Sequence, residues 1–200
     1  MRTHRAVAVV LAALLALVVV STSAGATTTG IRIEEPQLAG QRGSLRFRAG
    51  VTLIACAVTL AKTLINGLVA VRPELTKLGK VTAGRVGACT YMTQFLNLPQ
   101  QLGGQPGPLE ESWDISFLSS NLVEGQLHFE ILDFQVQIMI PMTMGCLYRG
   151  NLLGTLGPEG RNLRYASSIP LSAGFGCPEA IAVEGSFVTE PPIRYTLLVT

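Results

Sequence analysis

The 200-residue chain predicts an all-β fold, a disulfide-stapled antiparallel β-sandwich or flattened barrel. Three observations carry that expectation. Apolar residues alternate with polar ones at period two through most of the chain, the spacing of half-buried strands. Glycine (21) and proline (11) punctuate these runs, and segments so bounded read as about 8–10 short strands. Four cysteines, Cys56, Cys89, Cys146 and Cys177, are spread along the chain without a Cys-x-x-Cys pair.

Residues 1–26 read as a secretory signal peptide. Arg2 and Arg5 precede an apolar run from Ala6 to Val20, and Ala24-Gly25-Ala26 forms a small-x-small cleavage site. The run is shorter than the roughly 20 residues a spanning helix needs. Without it Lys+Arg falls from 15 to 13, equal to Asp+Glu at 13. The mature chain is thus formally neutral, and no basic stripe with interleaved aromatics marks it for nucleic acid. Residues 27–43 lack periodicity and are expected to be a flexible leader arm, with 44–200 as a single β domain.

Within that domain Leu45, Phe47 and Ala49 alternate with Arg46 and Arg48, a strand with an exposed face. Ile54, Cys56, Val58 and Leu60 form a second strand, either paired with the first as a hairpin or continuous with it. Pro73, Glu74, Lys77 and Gly79 are placed as start and stop signals for one short helix over 73–78. Residues 80–89 return to strand character. Residues 97–110, rich in proline and glycine, form a long loop, with a crossover expected between the halves. Trp113, Ile115 and Phe117 begin the denser half.

The most regular stretch is 125–149. Leu127, Phe129 and Ile131 share one parity; Phe134, Val136, Ile138 and Ile140 share the other. A strand that changes face must carry an extra residue, so a bulge or tight turn is expected at Leu132-Asp133. Pro141 argues for an edge or a second bulge. Residues 151–161 read as a loop, and 167–171, 181–189 and 193–200 as strands.

An even cysteine count in an exported chain points to disulfides, with three connectivities open. Cys56–Cys89 and Cys146–Cys177 are favoured because they close loops of nearly equal length. The segments Cys56-Ala-Val-Thr-Leu, Gly79-Lys80-Val81-Thr82, Cys146-Leu147-Tyr148-Arg149, Ser168-Ile169-Pro170-Leu171 and Cys177-Pro178, with Trp113 between them, resemble a group of small exported β-rich proteins of actinobacterial type. The resemblance implies a disulfide-stapled β domain and transfers no catalytic residue.

The chemistry-bearing residues are few. Beyond the signal, His128 is the sole histidine, on the polar face of its strand, and Asp114 and Asp133 are the two aspartates. A catalytic triad would have to use them. Glu34-Glu35 and Glu110-Glu111 are the paired carboxylates a glycosidase would need. Met142 and Met144 read as core filler rather than copper ligands. No metal site or cofactor motif is expected, and the four cysteines are the only assigned site residues. The expectation is a secreted or envelope-associated, non-enzymatic domain with a structural or binding role toward an extracellular or envelope partner. The alternatives are an exported hydrolase using the loop glutamates or His128, and an apolar-ligand carrier or pore.

Overall fold

The computed structural model describes residues 28–34, 37–67, 69–70, 76–98, 112–140 and 145–199. Twelve strands are formed among them: β1 (Thr28–Ile33), β2 (Gln37–Ala49), β3 (Thr52–Leu64), β4 (Val69–Ala70), β5 (Lys77–Gly87), β6 (Thr93–Phe95), β7 (Trp113–Asn121), β8 (Gln126–Ile138), β9 (Cys146–Leu156), β10 (Asn162–Ala173), β11 (Ala180–Glu190) and β12 (Tyr195–Val199).

The architecture is an eight-stranded closed barrel rather than a sandwich. Its strands run β2-β3-β5-β7-β8-β9-β10-β11, each antiparallel to the next, and β11 returns to pair with β2 from Ala182↔Arg48 to Glu190↔Gly40. Chain order and spatial order coincide, so the expected crossover is absent from the barrel. Alternation specifies a buried and an exposed face for each strand but not whether the first and last strands meet. Strands of 9–13 residues accumulate enough twist to coil the sheet shut.

A second sheet, β12-β1-β4, covers one end of the barrel. It buries Ile31 and Ile33, which meet the barrel core together with Ile193. Tyr195 fastens this cap, its hydroxyl reaching the carbonyls of Gly125 (2.8 Å) and Gly157 (3.1 Å) in two barrel turns. Burial pushes that phenol up to about 12. Gly160, at φ 65°, turns so closely past Ile193 that a Cβ there would strike the Ile193 carbonyl.

Several expectations change. The arm placed at 27–43 contains β1 and most of β2, because Ile31, Ile33, Ala39 and Gln41 point into the core despite their weak periodicity. The helix placed at 73–78 is not seen where described: Lys77 and Leu78 open β5, with Leu78 buried, while 73–75 lie outside the described residues. Six residues with helix-end signals gain too little to compete with a core-facing ladder. Residues 151–156 belong to β9, so the loop shortens to 157–161. β2 and β3 form a hairpin in register from Gln37↔Leu64 to Ala49↔Thr52. The face change in β8 is a bulge as expected, with the register slipping between Ile131 and Phe134 and Asp133 at φ 55°. The signal at 1–26, most of the 97–110 loop and Pro141 lie outside the described residues.

Candidate binding groove on the outer wall

An eight-stranded barrel is the size at which side chains either fill the interior or leave room for one small ligand. Here large side chains fill it. Tyr148, Tyr165, Phe47, Lys62, Phe117 and Phe134 head the fully buried residues. Glycines on the inner face make way for the rings: a Cβ on Gly43 would lie 2.7 Å from Phe187, and one on Gly154 2.5 Å from Phe129. Beneath the cap an apolar void of about 20 Å³ is lined by Ile33, Leu64, Leu78, Ile115, Ile193 and the stem of Lys62, among others. That is room for about one water.

Lys62 is the unexpected occupant. It continues the inward parity of Ile54, Cys56, Val58 and Leu60 and is 2% exposed. Its Nζ donates to the Tyr165 hydroxyl at 2.6 Å, and that hydroxyl donates to Gln41 Oε1 at 3.2 Å. The Phe129 and Tyr165 rings lie 4.9 and 5.2 Å from the nitrogen. Burial without a carboxylate partner drives the ammonium well below its ordinary value and raises the Tyr165 phenol well above its own. Gln41 Nε2 and Thr189 Oγ1, opposite each other on β2 and β11, are buried without partners among the described residues.

The four cysteines form Cys56–Cys89 and Cys146–Cys177, spanning 33 and 31 residues. In the chain-entropy account each contributes about 3–4 kcal/mol. Disulfides suit an oxidising, extracellular or envelope setting.

The outer wall carries the open space. A groove of about 710 Å³ crosses β8, β9 and β10, bordered by Leu118, Leu153 and Pro158 and presenting Gln126, His128, Thr155, Asn162 and Arg164. Its size falls within the range of ligand sites. Strand register explains its floor: His128↔Thr155 and Thr155↔Arg164 place three outward side chains in one row. The row continues Arg164↔Ser186 and Ser186↔Ser44 onto β11 and β2, where shallower hollows adjoin it. Short side chains at Thr155, Ser186 and Ser44 create the depression.

His128 therefore lies in the groove, its Nδ1 3.1 Å from Thr155 Oγ1. The structure does not bring the aspartates to it. Asp114 pairs with Lys77 at 2.6 Å, and Asp133 with Arg149. Glu34 accepts from the Thr196 hydroxyl at 2.9 Å at the cap. Glu35, Glu110, Glu111, Met142 and Met144 lie outside the described residues. No cluster of three or more potential metal ligands occurs among the described residues. Sequence reasoning overlooked Lys62, whose parity with Leu60 was visible, and Arg164, whose partners come from other strands. No family model matches the chain, and comparison with curated proteins and with solved structures finds no match.

Proposed function

We propose that the protein is an exported, non-catalytic binding module whose ligand lies against the outer wall of the barrel, in the groove over β8, β9 and β10. One contrast carries this reading: the void under the cap measures about 20 Å³, the groove outside about 710 Å³. A carrier needs an interior large enough for its cargo. A bilayer-spanning barrel needs an apolar outer band and a polar lumen; this barrel has Arg42, Arg46, Arg48, Arg164 and Glu184 outside and Phe47, Phe117 and Tyr148 inside. Within the groove, hydrogen-bonding groups converge over an apolar border, the composition of a recognition site. The two disulfides support service in an oxidising compartment.

The test is an array of glycans and peptides probed with the full chain. Thr155→Trp, which fills the groove from its floor, is expected to abolish the strongest signal, while Lys77→Gln on β5, across the barrel, leaves it intact. A signal untouched by Thr155→Trp would place the ligand elsewhere and end this reading.

A further inference from the structure

Resting on that outer-wall reading, we infer that the groove continues over β11 onto β2 as an arginine-lined track for an acidic polysaccharide, its sulfates or carboxylates seated above Ser44 and Ser186 between Arg42, Arg46 and Arg164. On β2, Arg42 and Arg46 flank Ser44 on the same outward face, about 13 Å apart at the strand's rise. Arg164 is level with Ser44 but two strands away, about 10 Å across the sheet. The three side chains frame a triangle whose floor is two serines, and Arg85 stands beyond Thr59 on the β5 side of Arg42. All four arginines are exposed, and none lies within ion-pairing distance of a carboxylate among the described residues.

A guanidinium fork holds planar or tetrahedral oxyanions through paired N–H donors, so unpaired arginines around hydroxyls suit sulfate or carboxylate groups. The track from His128 to Ser44 crosses four strand intervals, about 19 Å of arc. That length suits an extended polymer rather than a single ion. Phe129, Tyr165 and Phe187 underlie the track but face the core at 4%, 2% and 3% exposure. Bases therefore find no stacking platform, which favours an anionic glycan over single-stranded nucleic acid. The carboxylate on the track is Glu184, opposite Arg46, and it opposes the ligand.

Titration of the full chain with dextran sulfate, polygalacturonate and neutral dextran tests this. Binding is expected for dextran sulfate, polygalacturonate or both, showing which oxyanion is read, and not for neutral dextran. Raising salt from about 50 to 200 mM is expected to weaken it at least tenfold, as counterion release requires. Arg164→Gln and the Arg42→Gln/Arg46→Gln pair should each lower affinity about tenfold, the scale of a lost charge-assisted contact, and Glu184→Gln should raise it. These exposed substitutions leave the core intact, which circular dichroism verifies. Equal binding of neutral dextran, indifference to the arginine changes, or tighter binding of single-stranded DNA would each overturn the inference; the outer-wall reading still stands if Thr155→Trp blocks whatever binds. Failure of all three polymers also overturns it, and the array result then decides the outer-wall reading by itself.

Discussion

The barrel wall is built in two ways. From β10 round to β3 it is a continuous ladder: β10 pairs β11 from Asn162↔Val188 to Pro170↔Ala180, and β2 pairs β3 along its 13 residues. Between β5 and β8 the wall is assembled from two short pieces. β7 pairs β5 only between Lys77 and Val81, and β8 only up to Ile131. Lower down, β6 takes over beside β8 from Thr93↔Ile138 to Phe95↔Val136. No described strand pairs with β5 beyond Val81 on that side. Side chains close the join instead: Phe95, Trp113 and Phe134 pack with centroids 5.0–5.6 Å apart, and Gly84 lets Leu98 and Phe95 press against β5. One wall is held by backbone hydrogen bonds and the other by an aromatic plug, so the two should fail differently.

Trp113→Ala is expected to have the largest effect, about 4 kcal/mol by denaturant unfolding. Hydrogen exchange should then accelerate along β5, β6 and β7 while β2, β3 and β11 stay protected. A uniform loss of protection would show that the two walls act as one unit.

Next come the disulfides. Their loops are nearly equal, 33 and 31 residues, so replacing either pair by serine should cost about 3 kcal/mol. Their positions differ. Cys56–Cys89 ties β3 to the segment leaving β5, beside the join; Cys146–Cys177 links the start of β9 to the loop between β10 and β11. Only the first pair's removal is expected to open the join to exchange, and identical exchange patterns would contradict that.

The continuous wall has its own weak point in Lys62, and here the expected change is a gain. Lys62→Met should stabilise the protein by about 1–2 kcal/mol, since a buried ammonium or amine with one hydroxyl partner is less favourable than an apolar chain of like size. The sign with pH follows from the lowered value. Unfolded Lys62 keeps its proton up to about pH 10.4, while the folded form gives it up well below that. Between those limits the unfolded state binds more protons, so stability rises with pH. Tyr165, raised by burial, acts oppositely above about pH 10. Lys62→Met should flatten the rise and leave the fall; an unchanged profile would mean that another group titrates. The smallest stability effect belongs to the groove: Arg164→Gln, at an exposed position, should change unfolding by less than about 0.5 kcal/mol while affecting binding.

Much of this was legible from residue types alone. The bulge at Asp133 followed from a parity change between Ile131 and Phe134, because a strand cannot exchange faces without an extra residue. Inward positions such as Phe47, Ile54, Phe129 and Phe187 alternate as required. Lys62 and Gln41 also sit on inward parity, but a polar residue at an apolar position looks like the end of a strand until its partner is seen. That partner, Tyr165, is 103 residues from Lys62. The groove was the least legible part. Ser44, Thr155, Arg164 and Ser186 are ordinary surface residues until register aligns four strands.

Local patterning determined the all-β class, the strand faces and the β8 bulge, because period and chirality act over a few residues at a time. A small, even set of cysteines made two cross-links expected, and their nearly equal spacing favoured the pairing Cys56–Cys89 and Cys146–Cys177 that the structure shows. Closure of the barrel, the cap over one end, the packed interior and the row from His128 to Ser44 were decided only by the tertiary structure. Each depends on which distant strands share a ladder, and that choice comes from filling a common core rather than from any single segment.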